Sequence, residues 1–163
     1  MAATALLAAS IPFASAAQPA AAANSHSVTL SGTIEVYECC GFLSDSDTQR
    51  RDFEVSFLLN HAGAGQRTVL KASVCAGGEA RGELRVGVNL QGSEVLVTRP
   101  TLRLFEGSDC DNFDLDDQHI GEVRNLPLGT AQTWVLFAAN TEFHSSDTAT
   151  AWFSVIHKTG PGG

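Results

Sequence analysis

Apolar and polar residues alternate in short runs along most of this chain, and the runs recur at regular intervals between clusters of Gly, Asn, Pro and Asp. A period of two belongs to a β-strand, whose successive side chains point to opposite faces of a sheet. No stretch of helical period is long enough to compete, so the alternation predicts an all-β fold. Eight runs stand out, at about Ser27 to Glu38, Asp52 to Asn60, Gln66 to Cys75, Gly82 to Leu90, Glu94 to Phe105, His119 to Leu126, Ala131 to Asn140 and Thr148 to His157. In the first, Val28, Leu30, Ile34 and Val36 share one face and Thr29, Ser31, Thr33 and Glu35 the other, the pattern of a sheet buried on one side. Trp134 to Ala139 is apolar on both faces and reads as a central strand, while Pro100 marks an edge or a bulge in the fifth run. The expected architecture is an eight-stranded antiparallel two-sheet β-sandwich, disulfide-bonded.

A chain of 163 residues, 44% hydrophobic and 17% charged, has the composition of one folded domain. Met1 to Ala16 is apolar and closes on the small residues Ala14, Ser15 and Ala16, the pattern of a removable export signal, although it carries no Lys or Arg at its start. It is too short to span a bilayer, which takes ~20 residues, and no later run approaches that length. The expected organisation is a signal over residues 1–16, a polar leader over 17–26, the sandwich over 27–158 and a Gly-rich tail over 159–163, in a secreted or extracellular protein. Arg outnumbers Lys eight to two and Ala and Gly are abundant, a bias of high-GC bacterial genomes. A net charge of -8 argues against nucleic acid as a partner, since phosphates call for a basic face.

Where each strand reverses the one before, alternate loops fall at the same end of a sandwich. Loops one, three, five and seven, with their flanks, then gather Asp45, Asp47, Asp52, Asp109, Asp111, Asp114, Asp116, Asp117 and Asp147, every Asp in the chain. The opposite loops hold no carboxylate. Cys39, Cys40, Cys75 and Cys110 fall at the acidic end too. A vicinal Cys39–Cys40 bridge is strained, so the expectation is that both pair outward, with Cys75 and Cys110 in either order. A zinc site is the weaker reading, because no Cys-x-x-Cys pair is present.

Crowded carboxylates repel, and a bound cation relieves the repulsion. Calcium, which accepts six to eight oxygens from irregular loops, is the expected cofactor. The alternative is a solvated acidic rim that binds nothing. The segment from Leu102 to Glu122 resembles the third calcium loop of the lipid-binding sandwich domains of synaptotagmin and protein kinase C. Asp109, Asp111 and Asp117 match that family's three Asp positions, and Ile120 and Gly121 follow one residue late. Asp45 or Asp47, running on to Asp52, is similar to the family's first acidic loop, with Phe53 where a Pro is expected. The resemblance implies a calcium site with Asp109, Asp111 and Asp117 as core ligands and Asp45, Asp47, Asp52 or Asp147 completing it. It also implies an acidic lipid surface as one partner.

Enzyme signatures are missing: no His-Glu-x-x-His helix, no Gly-x-Ser-x-Gly elbow. His119 and His144 fall near the acidic end, where a transition metal is a minor reading. Trp134, Trp152 and Phe153 sit in strand interiors and read first as core, second as a sugar platform. The sequence therefore describes a secreted, non-catalytic module that binds calcium through one acidic end. Its rivals are a metal-free structural or protein-interaction domain and a carbohydrate-binding module, and a protein, glycan or lipid partner would be met through that same end.

Overall fold

The computed structural model describes residues 25–39, 46–59, 67–92, 94–107, 110–111, 114–140 and 146–160. Within them the alternating runs become nine strands: β1 (His26–Glu38), β2 (Asp47–Leu59), β3 (Arg67–Ala76), β4 (Ala80–Gln91), β5 (Glu94–Glu106), β6 (Asp114–Ile120), β7 (Arg124–Leu126), β8 (Ala131–Ala139) and β9 (Thr148–Thr159). They form two antiparallel sheets. One runs β2-β1-β9-β8, the other β3-β4-β5-β6 with β7 also paired to β5. The expected all-β, two-sheet architecture is present, and the alternation is what builds it. Val28, Leu30, Ile34 and Val36 of β1 and Ala149, Ala151, Phe153 and Val155 of β9 face inward and are buried. They meet Leu84, Val86, Val88 and Leu90 of β4 and Val95, Val97, Leu102 and Leu104 of β5 in one core.

The strand count departs from eight for a local reason. Pro100 lies in a bulge: the β4–β5 register shifts at Arg85/Gly87, and Arg99 takes a positive φ of 40°. On the other side of β5, β6 pairs up to Thr101 and β7 resumes at Val97. Gly121 donates its N–H to the Pro100 carbonyl at 2.7 Å, so the run expected from His119 to Leu126 is interrupted at the bulge. Its last residues form β7, and its first two end β6, which starts five residues early at Asp114 and takes Asp114, Asp116 and Asp117 out of the expected loop. Both pieces run antiparallel to β5, which leaves the order of the loop ends unchanged.

Two other expectations are corrected. The second strand starts at Asp47, five residues early, because Asp47 to Arg51 pair with Glu38 to Ile34 in an unbroken hairpin ladder. The doubly apolar run Trp134 to Ala139 is an edge strand, not a central one, and its outward Val135 and Phe137 are 61% and 51% exposed. Its free edge is closed by side chains reaching across from the other sheet. The Ala139 N–H donates to Asp117 Oδ2 (2.9 Å), His119 Nδ1 lies 3.0 Å from the Phe137 carbonyl, and Arg124 donates to the Thr133 carbonyl (3.0 Å).

Candidate functional site

Glu38 is the last residue of β1 and shares the inward parity of Ile34 and Val36, so the pleat that buries those two also carries its carboxyl into the sandwich. Only 4% of the residue is exposed, and Oε2 has no hydrogen-bond partner among the described residues. It lies against the β3–β4 turn at Gly77, whose φ is 56° and where a Cβ would fall on that same oxygen. Burial, first, and then the charges of Glu79, Asp147, Asp47 and Glu106 hold its pKa above the ordinary glutamate range. These five carboxylates come from five places in the chain: the ends of β1 and β5, the start of β2, the β3–β4 turn and the β8–β9 connection.

The neighbours of Glu38 pin loops together through hydrogen bonds. Asp47, opposite Glu38 in the hairpin, accepts from the Gly77 N–H at 2.8 Å and from the Gln49 amide at 3.1 Å, which lowers its pKa. Asp147 is buried, accepts from the Cys39 N–H through Oδ1 at 2.8 Å, and receives the Asn140 N–H on its own carbonyl at 2.9 Å. Asn140 also donates its side-chain amide to Glu106.

Of the seven aspartates expected at a calcium site, Asp47 and Asp147 are brought to Glu38. Asp111 is exposed in the turn after Cys110, and Asp117 lies on β6, engaged with β8. Asp52 is removed from the cluster: it lies within β2 on the outer face, bonded to Thr33 (2.6 Å) and 3.7 Å from Arg50. The early start of β2 is the reason. Asp45 and Asp109 lie outside the described residues. Among the described residues no three His, Cys, Asp or Glu side chains converge closely enough to cage a metal ion. Glu38, Glu79 and Glu106 were not singled out in the sequence, although Glu38 could have been found there, since its parity with Val36 places it inside.

Cys75 and Cys110 are joined to each other, with Cα atoms 6.0 Å apart, and Arg81 donates to the Cys110 carbonyl at 2.9 Å while its guanidinium covers the Phe105 ring. That bridge corrects the expected pairing of Cys39 and Cys40 with Cys75 and Cys110: the end of β3 and the β5–β6 connection face one another directly. Cys40 and His144 lie outside the described residues. His119 is spent on the β8 edge. Trp134 and Phe153 stack in the core at 5.4 Å, leaving Trp152, 41% exposed, as the one ring of the three on the outer face.

No protein-family model matches the chain, and no curated protein matches it. Among solved structures it is similar to the Salmonella SPI-1 type III secretion injectisome secretin InvG (residues 176 to the end, open gate state), with a TM-score of 0.41 and 5% identity. The match covers 85% of this chain and 61% of that one, so this chain spans less than two thirds of its length. At that score and identity the likeness carries no argument about function.

Proposed function

We propose that this chain is an exported, non-catalytic β-sandwich module whose acidic end takes up a divalent cation, calcium before others. The observation that carries the reading is the Glu38 carboxyl, 4% exposed, with an oxygen that has no partner among the described residues and with four carboxylates whose charges raise its pKa. Such a group is stabilised by positive charge, which a proton or a divalent cation supplies. Glu38, Asp47 and Asp147 are the first ligands. Asp45, two residues before Asp47, and Asp109, next to Cys110, are the nearest carboxylates in sequence to that end. Since the described side chains do not form a closed cage, binding has to draw loops inward, and calcium accepts backbone carbonyls and irregular geometry more readily than magnesium does. Export is supported by the Cys75–Cys110 bridge, which persists in oxidising compartments.

The test is thermal unfolding of the oxidised protein in EDTA, in millimolar calcium and in millimolar magnesium. At a hundredfold excess over its dissociation constant, calcium stabilises a fold that binds it only in the native state by about 2.7 kcal/mol. That corresponds to a rise of roughly 5 to 10 °C for a domain of this size. Glu38→Gln should remove most of the rise. An unchanged midpoint in calcium would sink the reading and leave a metal-free interaction domain.

A further inference from the structure

The two sides of the sandwich are finished differently. On one, Asp117, His119 and Arg124 close the β8 edge. On the other, β2 ends its sheet, and no strand of the described residues lies beyond it. There Arg51 reaches the Ser73 carbonyl of β3 at 3.2 Å, beside a depression of about 360 Å³ walled in part by Phe53, Val55 and Lys71. The inward side chains along the middle of β2 remain partly uncovered, Val55 at 41%, whereas Trp134, Leu136 and Ala138 on β8 are buried.

The ladder alternation fixes which backbone groups of β2 face outward. Thr133, Phe137 and Ala139 point their backbone groups away from β9, since side chains of the other sheet meet them there. Following the unbroken β8–β9, β9–β1 and β1–β2 registers, the outward N–H and C=O groups of β2 belong to its even-numbered residues. Arg50, Asp52 and Glu54 therefore present both their side chains and their free backbone groups at this edge.

We propose that β2 pairs antiparallel with β2 of a second copy about a two-fold axis at Asp52, joining the two four-stranded sheets into one. Such an axis keeps the inner faces of both copies on the same side and places residues whose numbers sum to 104 opposite each other. Arg50 then faces Glu54 of the second copy, and Arg51 faces Phe53, each interaction occurring twice. The two Asp52 carboxylates on the axis are each held by a Thr33 hydroxyl and flanked by Arg50. Charges on an edge strand ordinarily discourage pairing. Here the order Arg-Arg-Asp-Phe-Glu against its own reverse gives two Arg50–Glu54 attractions and one Asp52–Asp52 repulsion, which the flanking Arg50 side chains offset. Moving the axis by one residue toward Phe53 sets Asp52 against Glu54 twice. Moving it toward Arg51 keeps two Arg50–Asp52 attractions but sets the two Arg51 side chains against each other on the inner face, where their neighbours Gln49 and Phe53 carry no carboxylate to offset them, so the charges favour the axis at Asp52.

Sedimentation of the oxidised full chain in EDTA, with non-reducing gels to exclude cross-chain disulfides, keeps this test separate from the calcium reading. The expected result is a concentration-dependent dimer. Arg50→Glu or Glu54→Arg alone should weaken it roughly ten- to thirtyfold, by creating two like-charged cross-strand pairs. The double substitution, which restores complementarity with the signs exchanged, should recover it to within about threefold. A chain that stays monomeric at every concentration overturns the proposal. So does a dimer that the single substitutions leave unchanged, or one that the double substitution fails to restore.

Discussion

A carboxyl pressed against the Gly77 turn, with four others around it, makes folding sensitive to proton concentration at one residue. The folded-state pKa of Glu38 is raised, so its contribution to stability is whole below the unfolded value of 4.5 and is lost as pH climbs through the folded one. Asp47 works in the opposite direction. Its pKa is lowered, so its contribution is present above 3.8 and lost as pH falls. Glu38→Gln removes the buried charge, keeps the shape and supplies an amide donor to the surrounding carboxylates. In EDTA at pH 8 it should raise the unfolding midpoint by about 3 °C and flatten its decline with rising pH. A midpoint that falls instead would mean the Glu38 charge is already compensated. At the far end, the His157 Nδ1–H donates to the Leu126 carbonyl at 2.9 Å, so in the neutral pair His157 Nε2 accepts from His26 Nδ1 at 2.8 Å. Both tautomers are thereby set. These residue-level features were unequally legible. The inward parity of Glu38 can be read from Ile34 and Val36, and strand reversal sets Asp47 and Asp147 toward the same end, whereas the approach of the four carboxylates to one buried group depends on how the two sheets pack.

At the scale of elements, most strands were legible because one face is buried and the other wet, and β1, β4 and β9 follow their alternation closely. The failures have specific causes. Apolar residues on both faces of β8 suggested a central strand, but the shielding of that strand lies along its edge, where Asp117, His119 and Arg124 occupy its backbone groups. Trp134 adds a further tie by donating its indole N–H to the Glu122 carbonyl at 3.2 Å. Two aspartates assigned the same role in the sequence therefore differ in consequence. Asp117→Ala leaves the Ala139 N–H without its acceptor and should cost about 1 to 2 kcal/mol in urea unfolding. Asp52→Ala, on the exposed face of β2, should stay within about 0.5 kcal/mol. Equal losses would show that the β8 edge does not depend on Asp117.

Across the whole molecule, the Cys75–Cys110 bridge ties the end of β3 to the connection after β5, over a sequence separation of 35. Chain entropy alone assigns a closure of that length about 4 kcal/mol, so replacing both cysteines with serine should lower urea stability by roughly that amount. A loss under about 1 kcal/mol would place the stability in the core instead. The sequence by itself determined the class of fold and the burial of Trp134 and Phe153, because period two is a local property; Trp152, expected in the core beside them, falls on the outer face instead. The tertiary structure alone decided the disulfide partner, the split around Pro100, the edge position of β8 and the separation of Asp52 from the acidic cluster. Those depend on which strands lie side by side, and that choice is made by burial and pairing between residues as far apart in sequence as Val28 and His157, neighbours on β1 and β9.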